Sequence, residues 1–244
     1  MSDILPFRHS GAITAWADAN LLHWAANKIE AWDDNRLQAL MPFVRSHYWS
    51  NSHSVNVFAV VGTAHPDYIG LTWDEFLRTG KRMSVNQHLL ETSPQYYFDT
   101  TVKQPTMFYV SLNGKHWCVN GDGNHRTCLA RFHFERMNAA GHPSQTMIHG
   151  VTVDDYRIDW RLYDVFMKLQ ALMDKRKSWP GRVEGFRHHT GREDGPAWKI
   201  DRFDPKIRYQ PQQGEERLLD LAAAHQLLHE LTRRRAGLLG WLRR

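Results

Sequence analysis

Cysteine is nearly absent from this 244-residue chain. Its two thiols, Cys118 and Cys128, form no CxxC pair and fall on separate expected elements, so isolated buried thiols are expected rather than a disulfide framework or a zinc site. No apolar run is long enough to cross a bilayer. The start, MSDILPFRHSG, lacks the basic head and apolar stretch of a secretory signal, so a cytoplasmic location is expected. GxxxxGK[ST] does not occur, and GDGN is not a complete GxGxxG, which sets aside the usual P-loop and the dinucleotide fingerprint. Internal repeats and low-complexity segments are also missing.

What is present is a globular composition. Hydrophobic residues make up 42% and aromatics 12%, with ten Trp and eleven Phe, enough for a substantial core and too many for a mainly disordered chain. The formal charge is +5, and the segment LTRRRAGLLGWLRR alone matches that excess through Arg233, Arg234, Arg235, Arg243 and Arg244. A local anionic partner is therefore easier to defend than a uniformly basic surface. With Leu238, Leu239, Trp241 and Leu242 these arginines suit a nucleic-acid backbone or membrane surface, and equally helix packing or a protein contact.

Periodicity supplies the elements. In WADANLLHWAANKIEAWDDNRLQALMPF, Trp16, Leu21, Trp24, Ile29, Trp32, Leu37 and Leu40 recur at three- and four-residue spacing, which predicts helix in two pieces separated at Asp33-Asp34-Asn35. SVNVFAVVG is expected as a strand. LTWDEFLRTG is expected as a short helix capped by Thr72 and ended by Gly80. Met107 to Leu112 and His116 to Val119 form an expected hairpin across Asn113-Gly114. The helix that follows should bury Cys128, Leu129, Phe132 and Met137 while Arg131 and Arg136 face water. TMIHGVTVDDY is expected as a strand with an acidic exit, and LYDVFMKLQALMDKR as a helix. Residues 177–214 look like a loop with one short strand at AWKIDRF. A last helix, EERLLDLAAAHQLLHELTRRR, places Leu218, Leu221, His225, Leu228 and Leu231 near one face. The order strand, helix, strand, helix predicts a mixed α/β (α+β) core.

The segment VNGDGNHRTCLARF, residues 119–132, concentrates chemistry. Gly121 and Gly123 permit a sharp turn, and Asp122 or Asn124 can cap the helix. The first amides of a helix lack internal acceptors and lie at the favourable end of the dipole for an anion. Arg126 can fork onto a phosphate, and His125 can donate to it or move a proton. The same residues serve equally well as a chain reversal, a cap and an ion pair.

The stretch HWCVNGDGNHRTCLARFHF resembles the strand, loop and helix signature of the ParB/sulfiredoxin-like superfamily, over about residues 104–153. The resemblance implies a compact core with added N- and C-terminal helices. Residues 1–80 would be a helical and strand elaboration, 81–176 the core, and 177–244 a loop and helical extension on the same domain. It also implies a phosphate- or nucleotide-binding pocket formed by Gly121, Gly123, Asn124, His125 and Arg126, with ATP or another nucleotide as ligand. Sulfiredoxins carry a catalytic cysteine directly before the His-Arg pair; Asn124 stands there, and an amide cannot supply the thiolate, so sulfinic-acid repair is not expected. No recognition helix follows the match, which argues against a complete partition protein or a transcription factor.

The single-core layout resembles the Osa/FiwA-like plasmid fertility-inhibition group. That implies a plasmid or phage accessory protein that binds nucleotide or DNA and inhibits conjugative transfer. Such a protein could act as a Mg²⁺-dependent nuclease or NTPase, or as a non-catalytic block on a transfer or type IV secretion component. The catalytic form would use Asp122 near Mg²⁺, with Glu91, Asp154 or Asp155 as further acids, and His125 to orient or deprotonate water. Other groups carry weaker signals. His188 and His189 in RHHTG lack helical ligand spacing; His23, His225 and His229 fit packing or surface roles; Tyr96, Tyr97 and Phe98 suit base stacking or core filling.

Overall fold

A computed structural model describes residues 11–143, 145–174 and 181–241, with side chains as far as Arg233. Among the described residues, seven α-helices and nine strands make a mixed α/β protein. In chain order these are α1 (Ala12–Ala19), β1 (Glu30–Ala31), α2 (Asp34–Leu40), β2 (Val44–Asn56), β3 (Val60–Thr63), α3 (Trp73–Thr79), α4 (Met83–Thr92), β4 (Phe108–Ser111), β5 (Trp117–Val119), α5 (Asn124–Ala139), β6 (Met147–Ile158), α6 (Trp160–Asp174), β7 (Gly181–Gly195), β8 (Trp198–Pro211), β9 (Arg217–Leu219) and α7 (Leu221–Trp241). No described helix is long and apolar enough to cross a membrane.

Two compact units divide the chain. The first takes the described residues up to Asp33, Tyr48–Asp155 and Asp194–Lys199; the second takes Asp34–His47, Tyr156–Glu193 and the chain from Ile200. The boundaries expected after residues 80 and 176 fall inside these units rather than between them.

The first unit carries the strand order β1-β3-β5-β4-β6-β2. β4 and β5 pair antiparallel, Val110 opposite Cys118, while β4 runs parallel to β6 with Tyr109 opposite Val153. The hairpin forms, but pairing stops at Ser111 opposite Trp117, so Asn113 and Gly114, both at positive φ (154° and 69°), sit inside a connection wider than the tight turn expected, where Ser111 Oγ accepts from the Gly114 amide at 2.8 Å. α3 keeps its expected capping box: Thr72 Oγ1 accepts from the Glu75 amide, the Glu75 carboxylate accepts from the Thr72 amide, and Gly80 follows the last turn. One apolar cluster joins Val60, Trp73, Phe76, Leu77, Tyr109, Leu129, Phe132 and Val153. α5 is buried around most of its circumference, which is why the sequence shows no clean stripe there.

Several expectations are corrected in this unit. Only the second of the two helical pieces expected over residues 16–40 forms as such, α2 with Leu37 and Leu40 buried; in the first, α1 stops at Ala19, Leu21 is 86% exposed, a 3-10 turn spans His23–Ala26, and β1 pairs Glu30 with Gly62. Tryptophans brought in by turns mimic a helical period. SVNVFAVVG is interrupted where Asn56 Oδ1 accepts from the Phe58 amide and turns the chain between β2 and β3. Arg131 does not face water. It is 4% exposed, with its guanidinium 4.6 Å from the Trp24 ring centroid and 4.2 Å from that of Trp73, and it donates to the Val60 carbonyl. Aromatic faces and a carbonyl make up for its lost hydration, although burial lowers its pKa to about 10. The expected acidic exit, Asp154 and Asp155, lies within β6.

In the second unit, residues 181–211, expected as mostly loop, form two long strands, and β9 pairs antiparallel with β8, Leu219 opposite Ile207. β7 is charged, glycine-rich and mostly exposed or half-buried, so it gives no apolar alternation, whereas β8 alternates only in its second half, where Pro205, Ile207 and Tyr209 are buried. α6 buries Leu162, Val165 and Leu169 at helical spacing. α7 starts after Asp220, so Leu218 belongs to β9 and is exposed; the buried face is Ala224, Leu227 and Leu231, and His225 points to solvent.

Candidate functional site

The site grows from the β4–β5 hairpin. Asn120 N donates to the Phe108 carbonyl at 2.9 Å and Phe108 N to the Asp122 carbonyl at 3.1 Å, which fastens the GDG loop to β4 before the chain turns into α5. Gly121 and Gly123 take φ of 106° and 116°, a region hostile to side chains. A Cβ on Gly123 would also lie 3.2 Å from Met107 Cβ.

Neither expected cap forms. Asp122 Oδ1 accepts from the Gly123 amide at 2.8 Å, and Oδ2 lies 3.4 Å from Arg126 Nη2. Asn124, 7% exposed, is the first helical residue; its Oδ1 accepts from Thr63 Oγ1 at 2.6 Å and its Nδ2 donates to the Gly121 carbonyl at 3.2 Å. It braces β3 against the loop. Thr127 secures the first turn from within, its N–H and hydroxyl both donating to the Gly123 carbonyl at 2.8 Å, with Tyr109 OH at 2.8 Å from that hydroxyl. The helix therefore starts with no side-chain cap, leaving the amides of Asn124, His125 and Arg126 at its dipole end.

That end opens into a cavity of about 720 Å³ within the first unit. One wall is a face of α4 with its flanking residues, Arg82, Asn86, Leu89 and Ser93, at spacings of four, three and four. Tyr96, Tyr97, Gln104 and Pro105 form another, and His65, Asp67, Tyr68 and Lys81 close the side next to His125. Lys81 Nζ sits 2.5 Å from Asp67 Oδ2, and this contact holds the Asp67 carboxyl below its usual range. Arg82 is exposed and, among the described residues, has no carboxylate partner.

His125 is half-buried, edge-on to Tyr68 with ring centroids 5.4 Å apart and tilted against Phe76 at 5.2 Å. Burial first, then the charge of Arg82, pulls its pKa down to about 4. The ring is neutral at pH 7, and its Nε2 faces the Arg82 amide and Tyr68 OH, both at 3.4 Å. The proton consequently rests on Nδ1. His65, stacked on Tyr68 at 4.3 Å, accepts from the Asp67 amide through Nδ1 at 3.3 Å, so its neutral form carries the proton on Nε2. Both imidazoles have their lone pairs aimed at protein donors, and among the described residues their N–H groups have no acceptor.

Arg126 is the sequence-predicted ligand most altered by its surroundings. Nη1 donates to Tyr96 OH at 2.5 Å and to the Pro105 carbonyl; Nη2 donates to the Thr106 carbonyl at 3.1 Å and meets Asp122. Four of its five N–H groups are engaged, which leaves no free fork for a phosphate.

The other predicted residues lie elsewhere. Glu91 accepts from the Ala12 amide at 3.3 Å and does not line the cavity with Asp122. Asp154 and Asp155 sit opposite Val110 and Ser111 across β4 and β6, also outside the lining. Tyr97, which borders the cavity, is otherwise buried in the core, and Phe98 packs on His133 and Phe134. His188 and His189 lie on β7, His189 next to Asp201 at 3.3 Å; His23, His225 and His229 are exposed. Cys128 is buried with its thiol directed at the Trp73 carbonyl, and burial raises its pKa. Arg233 is exposed on α7; the side chains of Arg234 and Arg235 and all of Arg243 and Arg244 lie outside the described residues.

Among the described residues no three His, Cys, Asp or Glu side chains gather into a metal-binding group. The two carboxylates in the cavity are already engaged, Asp67 by Lys81 and Asp122 by the Gly123 amide and Arg126. This donor set does not fit a protein-held Mg²⁺. Comparison with protein-family models, curated proteins and solved structures found no match to this chain.

Proposed function

We propose that this protein binds a phosphate-bearing organic ligand, a nucleotide by size and polarity, at the entrance of α5. The observation that carries the proposal is the uncapped α5 N-terminus opening into a cavity of about 720 Å³. That volume lies in the range of small-molecule and cofactor sites. The lining brings the start of α5, Arg82, His65 and His125 together with the apolar or amphipathic surfaces of Leu89, Tyr96 and Pro105. A ligand that combines acceptors with a flat or apolar part satisfies both.

Binding without turnover is the form the side chains favour. A general base acts best with a pKa near the working pH, whereas His125 sits at about 4 with its lone pair directed at Arg82 N and Tyr68 OH. The Asp122 carboxylate is tied to its own loop. The cellular role carried by the ParB/sulfiredoxin resemblance is inhibition of conjugative transfer by a plasmid- or phage-borne protein in the cytoplasm. The superfamily part of that reading rests on the GDGNHR segment and the fertility-inhibition part on the single-core layout read from the sequence; a ligand-gated block on a transfer or secretion component is its non-catalytic form.

Isothermal titration of the full chain with ATP and other nucleoside triphosphates, single-stranded DNA and duplex DNA, with and without Mg²⁺, tests the proposal. Saturable nucleotide binding that persists without Mg²⁺, weakened about tenfold or more by Arg82→Gln, is expected. Folded protein that binds none of these ligands sinks the proposal, and hydrolysis of a bound nucleotide sinks its non-catalytic form.

A further inference from the structure

The wall opposite α4 contains a donor that the GDGNHR segment does not include. Tyr96 lines the cavity, and its hydroxyl oxygen receives Arg126 Nη1 at 2.5 Å. Among the described residues the hydroxyl proton has no acceptor. Lys103, 2% exposed, donates through Nζ to the Asp99 carbonyl at 2.5 Å and stands 5.0 Å from the Tyr96 ring centroid; the Arg126 guanidinium is 5.9 Å from the same centroid. Two cations next to one phenol, one of them hydrogen-bonded to its oxygen, polarise the O–H and favour an electron-rich partner on its open side. Arg126 fixes that geometry, because its other contacts, to the Pro105 and Thr106 carbonyls and to Asp122, tie the wall to α5.

We infer that the Tyr96 hydroxyl is a ligand-contacting donor of this cavity and that Arg126 is its positioning residue. The inference rests on the proposed binding of an anionic ligand here, and it gives Arg126 a role different from a direct phosphate contact. Burial raises the Tyr96 pKa, so the phenol keeps its proton at neutral pH and remains a donor. Phenylalanine at position 96 would keep the ring against Lys103 and Tyr97 and remove the whole hydroxyl, the donor toward the cavity together with the acceptor of Arg126 Nη1.

The test uses ATP as probe on the full chain. Tyr96→Phe should weaken ATP binding about tenfold, the loss expected for one hydrogen bond to a charged group, and lower the melting temperature by only about 2–6 °C for the lost Arg126 contact. Arg126→Lys should weaken binding as well, and adding Tyr96→Phe to it should cause little further loss, since both act through one contact. In protein carrying ¹³Cζ-labelled tyrosine, ATP should shift the Tyr96 resonance in the wild type and shift it less in Arg126→Lys. Unchanged affinity in Tyr96→Phe, or losses that multiply in the double variant, overturns the inference while nucleotide binding stands. Failure of the wild type to bind ATP overturns both.

Discussion

Alanine at position 123 puts a methyl group where both the backbone and its neighbour oppose it. Gly123 runs at φ 116°, and the added Cβ would lie 3.2 Å from Met107 Cβ and 3.3 Å from Met107 Cα. Met107 is fully buried, so it cannot withdraw toward solvent. Gly121 is the natural control: its φ is 106°, yet its Cβ would meet nothing closer than Phe108 Cδ1 at 4.0 Å. Both substitutions carry backbone strain of about 1–3 kcal/mol. Only Gly123→Ala adds overpacking, about 1–3 kcal/mol more. In a chain of this size each kcal/mol moves the melting temperature by about 2–4 °C. Gly123→Ala should therefore melt about 2–12 °C below Gly121→Ala, which itself melts below the wild type. Scanning calorimetry on the three proteins reads this directly. Equal melting temperatures for the two variants, or the reverse order, would refute the close approach of loop and β4 that shapes the α5 entrance.

Two further predictions concern the same helix. Thr127→Val removes the hydroxyl that bridges Tyr109 OH and the Gly123 carbonyl, leaving a fully buried phenol unpaired, at a cost of about 1–3 kcal/mol. Tyr109→Phe added to it should restore part of that stability in urea unfolding, and a double variant as unstable as the sum of the singles would contradict the pairing. Acid should destabilise the chain through His125 and His133, both held near pKa 4 by burial against an ordinary 6.5. Because the folded values are depressed, the unfolded chain binds more protons between pH 6.5 and 4; stability is complete above about 6.5 and declines as pH falls toward 4. His133 lies among Tyr97, Phe98 and Phe134 and, among the described residues, its Nε2 has no hydrogen-bond partner. His133→Phe should flatten the acid limb of a melting-temperature profile, and an unaltered limb would assign the sensitivity to other groups.

Local chemistry was legible in the chain where it is self-contained. Thr72 with Glu75, the chain reversal at Asn113-Gly114 and the strand-to-helix passage at GDGN each act within a few residues; the first appears as expected, the second as a wider connection, and the third without its side-chain cap. Contacts that depend on distant segments were not legible. Arg131 reads as a surface residue until Trp24 and Trp73 enclose it, and Arg126 reads as a phosphate fork until Tyr96, Pro105 and Thr106 occupy it. Lys81-Arg82 at the start of α4 was the available sign of a second cationic wall, but nothing local links it to His125, 43 residues away. β7 escaped because its charges and glycines leave hydropathy no period to report, and β8 because its alternation, Pro205, Ile207 and Tyr209, is confined to its second half.

The central claim is that the first amides of α5 donate to an anion. Backbone amide NMR of the ¹⁵N-labelled chain, titrated with ATP and separately with inorganic phosphate, tests it most directly. The account predicts saturable downfield shifts at Asn124, His125 and Arg126 with both probes, and additional shifts along α4 near Leu89 with ATP alone. Unmoved amides at those three positions, with ATP bound and perturbing another surface, would contradict it.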